Sequence, residues 1–275
     1  MLIDHHTHTK AFSFDGIQSP DELLYAAKAR GLDGVCLSEH YDKDVAYINE
    51  KEAIFDLDAY HRSMPVLTEQ ARFLHLHLLY GIELGYLPHL NPYFARIVLR
   101  YPFDAVILSL HLLDGEDPYS DRQIYKRGRD LIYGRYLEQL TEMMTACPDF
   151  DILGHFDYIT RYADWPNQKI LWREQPDRFD ALFRKLISMG KTLELNTSTM
   201  HTLRLAGYDE ADSWPDTDIF YRYLELGGEL VCLSSDAHAA QDVGLLLDEA
   251  RQWLKNIGFR YLTHYSERQP VMTLI

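Results

Sequence analysis

The sequence predicts an α/β protein folded as one closed or nearly closed barrel of parallel strands, like an eight-fold βα barrel short of one unit. Seven short apolar runs alternate with helix-like segments along the 275 residues, which is the pattern of successive βα units. The runs are apolar without alternation, as expected of strands covered on both faces. No Pro/Gly/Ser-rich linker or internal repeat divides the chain, so we predict a single domain over residues 1–275.

Each predicted strand is a short apolar run that leads into a polar loop. The first contains Leu2 and Ile3 and runs directly into a histidine-rich stretch. No Gly-x-Gly-x-x-Gly motif follows it, which argues against a dinucleotide-binding fold. The other six predicted strands are Gly34–Leu37, Leu79–Leu84, Ala105–Leu110, Phe150–Leu153, Thr192–Leu195 and Leu230–Leu233. Residues Phe259–Tyr265 are a candidate for one further strand.

The predicted helices fall between these strands. Ser19 is expected to cap the first helix, with Pro20 at its first position, Glu22 three residues after the cap and Gly31 at its end, because these residue types mark helix boundaries. The other predicted helical segments are Leu57–Leu74, a segment that Asn91 and Pro92 open, Asp121–Cys147, Pro176–Met189, Asp216–Leu226 and Gln241–Asn256.

Composition limits the partners and the location of the protein. The formal net charge of −15 disfavours non-specific binding to nucleic acid or to a membrane surface. No apolar stretch is long enough to span a bilayer, and the N-terminus lacks the features of a signal peptide. Cys36, Cys147 and Cys232 show no Cys-x-x-Cys spacing and are expected to be reduced thiols. We therefore expect a cytoplasmic protein.

The first predicted strand ends in a His-x-His pair. Side chains two residues apart on an extended strand point to the same face, so His6 and His8 can offer two nitrogen ligands to one metal ion. The alternative for this pair alone is two solvated histidines at a polar N-terminus.

Residue types that bind metals also follow the other predicted strands. Any one of them could be a capping or core residue, but in βα barrels the C-terminal strand ends together form the active-site face. Their placement at nearly every strand end therefore predicts a metal site. These residues are His40, Glu83, His111, His155, Glu194, Asn196, Asp236 and His238.

Together these motifs resemble those of the PHP (polymerase and histidinol phosphatase) family, and most of all its stand-alone histidinol-phosphate phosphatase branch. The resemblance covers residues from Met1 to about Gly258 and implies a distorted seven-stranded (β/α)7 barrel, TIM-barrel-like, with up to three divalent metal ions. The matching motifs are Asp4-His-His-Thr-His-Thr9, Glu39-His40, Gly81-Ile-Glu83, Ser109-Leu-His111, Gly154-His155, Glu194-Leu-Asn196 and Ser235-Asp-Ala-His238.

The resemblance also implies a ligand set. One ion would be held by His6, His8, Glu83 and Asp236; a second, bridged by Glu83, by His111 and His155; and a third by Asp15, His40 and His238. Mixed imidazole and carboxylate ligands suit zinc, iron or manganese. For Asp15 the alternative is a turn residue before Gly16. We interpret Asp4, Glu39, Asp157 and Asn196 as groups that orient imidazoles. His75 and His77 precede their strand, so we place them at the opposite end of the barrel or on its surface.

Such a cluster predicts phosphoester hydrolysis. Two close metal ions can share a hydroxide that attacks phosphorus directly, so we expect no phosphoenzyme intermediate, with Glu83 and Asp236 at the reacting centre. Arg161 matches a basic position that the histidinol phosphatases use for phosphate; the alternative is an ordinary surface arginine. After Asn196-Thr-Ser198 the sequence departs from that branch, and Arg204 is a second candidate for substrate binding.

We therefore predict a metal-dependent phosphatase for a small phosphate monoester, with L-histidinol phosphate, an intermediate of histidine biosynthesis, as the leading substrate. A phosphodiesterase or other phosphoester hydrolase on the same scaffold is the first alternative, and a catalytically idle metal-binding scaffold or partner-binding module is the second. The acidic composition argues against nucleic acid as a partner. The oligomeric state and the identity of the metal stay open.

Overall fold

The computed structural model describes residues 1–46 and 52–275. Helices and strands alternate along most of the chain. The strands are β1 (Ile3–Thr7), β2 (Gly34–Leu37), β3 (His40–Ala46), β4 (Glu52–Ala53), β5 (His77–Gly85), β6 (Ala105–Ser109), β7 (Ile152–Leu153), β8 (Thr192–Asn196), β9 (Val231–Ser234), β10 (Tyr261–Ser266) and β11 (Gln269–Leu274). The α-helices are α1 (Pro20–Arg30), α2 (Leu57–Phe73), α3 (Asn91–Arg100), α4 (Arg129–Ala146), α5 (Pro176–Ser188), α6 (Thr197–Leu205), α7 (Thr217–Glu225) and α8 (Leu247–Ile257).

The central sheet is a nearly closed barrel of parallel strands in the order β1-β2-β5-β6-β7-β8-β9. A parallel bridge joins Thr7, the last residue of β1, to Ala237 in the loop that follows β9, and the His8 N–H donates to the Ala237 carbonyl at 2.9 Å. The predicted seven-stranded (β/α)7 barrel is therefore confirmed. Because every barrel strand runs in the same direction, the loops that follow the strands meet at one end of the barrel.

The ends of the first helix form as their residue types predict. The Ser19 side chain accepts a hydrogen bond from the Glu22 N–H, and the Glu22 carboxylate accepts from the Ser19 N–H, so both halves of a capping box are present. Gly31 ends the helix with φ of 78°, a left-handed conformation that glycine adopts without strain. These contacts fix where the chain leaves the β1–α1 loop, which carries Asp15.

Several predicted boundaries are wrong for identifiable reasons. The single helical stretch predicted over 121–147 is two elements, because Gly128 has φ of 100° and separates a 3₁₀ helix, Arg122–Arg127, from α4. The last helix begins only at Leu247, after positive φ at Gly244 and Leu246. Helix α6 was not predicted; its cap is Asn196, whose side chain accepts from the Ser198 N–H at 3.0 Å.

The candidate last strand, Phe259–Tyr265, is one arm of an antiparallel hairpin, β10–β11, and not a barrel strand. The Tyr265 ring of this hairpin packs against buried side chains of the barrel strands, among them Ile3 and Cys232. The Tyr265 hydroxyl donates to the Asp151 carbonyl at 2.9 Å and lies 2.6 Å from Thr192 Oγ1. The hairpin thus covers the N-terminal ends of the strands, opposite the site-bearing end. Among the described residues, no helix is long and apolar enough to cross a membrane.

Candidate metal centre

The structure brings the predicted ligands together at the C-terminal end of the barrel. His6, near the end of β1, and His8, just after it, have ring centroids 4.9 Å apart. The pairing of β1 with β2 shifts its register between Asp4 and Thr7. The other ligands come from β3, β5 and the loops after β1, β6, β7 and β9. His75 and His77, by contrast, are exposed at the start of β5, at the other end. The predicted ligands that gather are His6, His8, Asp15, His40, Glu83, His111, His155, Asp236 and His238.

Glu83 lies at the centre of this group, buried among imidazole rings. Its Oε1 is 3.0 Å from His155 Nε2, 3.1 Å from His111 Nε2 and 3.2 Å from His6 Nε2. Its Oε2 is 2.6 Å from His40 Nδ1. Burial opposes ionisation, but the surrounding His6, His40 and His111 hold the pKa of Glu83 well below its usual range. The carboxylate is therefore negative, with both oxygens aimed at different nitrogen ligands, which is the arrangement that lets one carboxylate bridge two cations.

Two further groups adjoin Glu83. Asp236 Oδ1 is 3.2 Å from His8 Nε2 and 3.8 Å from His6 Nε2. On the solvent side, His238 Nε2 is 3.2 Å from both His40 Nε2 and Asp15 Oδ2. Among the described residues there are four groups of three side chains whose ligand atoms lie within 4.8 Å of one another inside each group: His6–Glu83–His155, His6–His8–Asp236, His40–Glu83–His111 and His8–His40–His238.

Several buried ligand atoms in this cluster lack a hydrogen bond, and a divalent cation is the partner that suits them. His6 Nε2, His40 Nδ1 and Glu83 Oε2 are buried without hydrogen-bond partners. His40 Nδ1 and Glu83 Oε2 are close, but not in hydrogen-bonding geometry. Buried polar atoms of this kind are costly unless they are satisfied. Imidazole lone pairs and carboxylate oxygens that converge on one point are ligands for divalent transition metals.

The groups that support the ligands differ in part from those predicted. Glu194 Oε1 accepts a hydrogen bond from His6 Nδ1 at 2.8 Å. Glu39 is linked to His8 through the Ser13 hydroxyl, which lies 2.5 Å from Glu39 Oε2 and 3.3 Å from His8 Nδ1. Asp4 instead accepts from the backbone N–H groups of Ser235 and Gly244, both at 2.8 Å. It therefore positions the loop after β9, not an imidazole.

Asn196 and Asp157 support Arg161 instead of an imidazole. Arg161 Nη2 donates to Asn196 Oδ1 at 2.9 Å, and Arg161 Nε donates to Thr199 Oγ1 at 3.0 Å. The Thr199 hydroxyl in turn donates to Asp157 Oδ1 at 3.1 Å. Asn196 Nδ2 also donates to Glu194 Oε2 at 3.2 Å, so Asn196 reaches the His6 imidazole only through Glu194. Asp157 is linked to the guanidinium through Thr199, and the expectation that it orients an imidazole is not met among the described contacts.

Arg161 is a buried residue of the site and not a surface arginine, whereas Arg204 points elsewhere. Arg161 is 8 % exposed, and its Nη1 donates to Asp236 Oδ2 at 2.8 Å. It lines a cavity of about 300 Å³ together with Asp15, His40, His111, His155, Asp236 and His238. Arg204 does not line this cavity; its Nε donates to Ser213 Oγ at 2.8 Å. Substrate binding by Arg204 stays a prediction without a contact that supports it.

Asp42 is the main residue of the site that the sequence analysis missed. Its carboxylate Oδ1 lies 2.7 Å from His111 Nδ1, on the side of the ring away from Glu83. Its Oδ2 is 3.6 Å from His40 Nδ1. Gly85 makes room for it, since a Cβ there would collide with the Asp42 carboxylate. The available signal was the spacing of two from His40 on one strand, which puts both side chains on the same face.

Asp42→Asn is expected to weaken metal binding by about 10- to 100-fold, the usual effect of losing a group that orients a ligating histidine. The amide keeps the shape of the side chain but removes the negative charge that orients His111 and makes its ring more basic. Competition with a chelator at fixed pH measures the change. Asp44→Asn is the matched control, because Asp44 is on the same strand but is exposed and bound to Lys43 and His89. Equal affinities in Asp42→Asn and the wild type would contradict the role.

Comparison with known proteins agrees with this geometry. The PHP domain model matches residues 4–198. The chain is 28 % identical over 261 residues to a probable histidinol-phosphatase of Clostridium acetobutylicum, covering 94 % of this chain and 95 % of that protein. It is also 28 % identical over 275 residues to a histidinol-phosphatase of Lactococcus lactis, covering 96 % and 94 %.

Solved structures share the fold. A crystal structure of the histidinol phosphate phosphatase of Lactococcus lactis, complexed with zinc, L-histidinol and phosphate, superposes with a TM-score of 0.86 at 24 % identity and covers 98 % of each chain. A putative histidinol phosphatase of Listeria monocytogenes superposes with a TM-score of 0.71 at 21 % identity, covering 90 % of this chain and 99 % of that one. With the family model matched over most of the barrel, this chain belongs to the PHP domain family.

Proposed function

We propose that this chain, as a single domain over residues 1–275, is a metal-dependent phosphatase that hydrolyses a small phosphate monoester, with L-histidinol phosphate as the leading substrate. The observation that carries the proposal is Glu83, one buried carboxylate with four imidazole nitrogens within 3.2 Å. A purely structural carboxylate does not need this many convergent ligand groups. The charge and ligand atoms concentrated here suit the stabilisation of a phosphoryl group in its transition state.

The proposed ligands are the residues that meet around Glu83, and two to three divalent ions, zinc, iron or manganese, are the proposed cofactors. When bound, such ions activate a water molecule as the nucleophile and neutralise charge on the phosphoryl oxygens. Asp236 contacts both His8 and Arg161 and therefore lies between the ligand cluster and the guanidinium. This position suits a carboxylate that orients the attacking water or passes a proton to the leaving alcohol.

The cavity supports a small substrate. Its volume of about 300 Å³ is at the lower end of the range for small-molecule sites. Arg161 offers the planar, permanently charged donor set that suits phosphate oxygens. The relatives named above, a histidinol-phosphatase and a probable histidinol-phosphatase, align over nearly their whole length, and the similar Lactococcus lactis structure contains L-histidinol and phosphate. These observations support L-histidinol phosphate over other monoesters.

Metal analysis combined with a substrate panel tests the proposal. Protein purified without chelator is expected to contain two to three divalent ions per chain by elemental analysis, to lose them stepwise to chelators and to lose phosphatase activity with them. Adding back Mn²⁺, Zn²⁺ or Fe²⁺ should restore activity, with L-histidinol phosphate preferred over simple monoesters and diesters. One ion or none, with no activity on adding these metals, would refute the cluster; activity with diesters preferred would refute the monoester assignment.

A further inference from the structure

The mouth of the cavity carries a carboxylate that has no cationic partner. Asp117, in the loop between β6 and α4, lines the same cavity as Arg161 and Asp236. Its Oδ1 accepts a hydrogen bond from the Tyr119 N–H at 2.8 Å. Among the described residues, no lysine, arginine or histidine forms an ion pair with it. A half-buried, unpaired carboxylate in the wall of a substrate cavity attracts positive charge.

The other acidic side chains of this loop are already engaged. Asp114 forms an ion pair with Arg135 at 2.8 Å, and Glu116 forms one with Arg127 at 2.5 Å. Asp121 caps the following 3₁₀ helix by accepting from the Gln123 N–H at 2.9 Å. None of these three side chains lines the cavity. Asp117 is thus distinguished from its neighbours both by facing the cavity and by lacking a cation.

Among the described residues that line the cavity, the basic groups already face other carboxylates. The four lining histidines each lie within 3.2 Å of Glu83, Asp42 or Asp15, and they are His40, His111, His155 and His238. Arg161 is the only lysine or arginine among the described residues that line the cavity, and it is paired with Asp236 at 2.8 Å. Next to Asp117, Tyr119 contacts Tyr162 in an edge-to-face pair with centroids 5.3 Å apart. The Arg122 guanidinium already lies over the Tyr162 ring, 4.8 Å from its centroid, so the exposed Tyr119 ring is the aromatic surface left beside Asp117 for a further cationic group.

We propose that Asp117 binds a positively charged group on the alcohol portion of the substrate, either an ammonium or an imidazolium. The inference rests on the proposed function, since it assigns the cavity to a phosphate monoester. The site then has two unlike parts: the ligand cluster and Arg161 for the phosphoryl group, and Asp117 for the cation. Monoesters of cationic alcohols are selected over neutral ones, because only they satisfy the carboxylate.

Steady-state kinetics of Asp117→Asn on matched substrates test this assignment. We expect kcat/KM to fall about 10- to 100-fold for L-histidinol phosphate, the effect of losing a charge-assisted hydrogen bond, and less than about 2-fold for p-nitrophenyl phosphate. The fall should be in KM with kcat little changed, because the contact is made equally in the ground and transition states. O-phosphoethanolamine carries only the ammonium and imidazolylethyl phosphate only the ring, so they show which cation Asp117 binds.

Glu116→Gln is the matched control and should leave all four substrates unchanged, since Glu116 is outside the cavity. Equal losses on charged and neutral substrates would mean that Asp117 only shapes the loop, and no loss on any would mean that it does not bind the cation; either overturns the inference. If the wild type hydrolyses no monoester, the proposed function fails separately. Calorimetric binding of O-phosphoethanolamine to the metal-loaded protein then decides: absent binding, or binding equal in wild type and Asp117→Asn, overturns the inference.

Discussion

Glu83→Gln is expected to abolish turnover while the chain keeps its fold. The amide has nearly the shape of the carboxylate but lacks the negative charge, and one of its two positions becomes a donor that cannot ligate a cation. Four imidazole nitrogens within 3.2 Å then lose the group that lets them share ions. We expect kcat for the best monoester to fall by more than about 1000-fold, or about 4 kcal/mol of barrier, with an unchanged circular dichroism spectrum.

The control for this variant is Glu69→Gln, which makes the same chemical change on the exposed face of α2, where Glu69 pairs with Arg72. It should retain full turnover. A Glu83→Gln protein that keeps more than about a tenth of wild-type kcat would have lost less than about 1.4 kcal/mol. That result would remove Glu83 from the core of the proposed mechanism.

Arg161→Ala is expected to lower kcat/KM on phosphate monoesters by roughly 30- to 1000-fold, which corresponds to about 2–4 kcal/mol for truncating one partner of a buried charge pair. The guanidinium is buried, lines the cavity and donates to Asp236 at 2.8 Å. Its removal takes away a donor for phosphoryl oxygens and leaves Asp236 Oδ2 without that partner. Steady-state kinetics on a monoester and a diester measure the loss.

Metal content separates the two consequences of that change. If Arg161 acts by binding phosphate, the variant should keep its ions, and diesters, which carry one charge fewer, should lose less activity than monoesters. If it acts by holding Asp236 in place, metal affinity should fall and both substrate classes should lose activity equally. Arg161→Lys is the companion variant, because it keeps the charge but not the fork that reaches Asp236, Asn196 and Thr199 at once. Wild-type rates in Arg161→Ala would exclude both roles.

Much of the metal centre could be predicted from the sequence, because the residues that follow successive parallel strands of a barrel lie at the same end of it. His111 and His155 follow β6 and β7, which are neighbours in the sheet, so their convergence required only that the strands be parallel. His6 and His8 required only the strand period of two. The strands themselves were recognisable because burial on both faces makes them continuously apolar.

Other features depend on contacts that no local pattern encodes. The Arg161–Asp236 ion pair joins residues 75 positions apart, and nothing near Arg161 in the sequence indicates that its side chain points toward Asp236. Asp42 lies in β3, whose polar sequence does not have the apolar character of a barrel strand. Gly128 divides the helical stretch through a backbone conformation, although its neighbours have helix-like periodicity. The β10–β11 hairpin has strand-like residues, but only its tertiary packing shows that it covers the N-terminal ends of the barrel strands and is not one of them.

The join between β1 and β9 has a thermodynamic consequence. His8 and Asp236 meet beside it although 228 residues separate them, and closing a chain loop of that length costs roughly 5 kcal/mol in entropy. A divalent ion held by both residues would be a removable cross-link on this loop, bound to the folded chain and not to the unfolded one. We therefore expect a chelator to lower the melting temperature as well as the catalytic rate, because both would depend on the same ion.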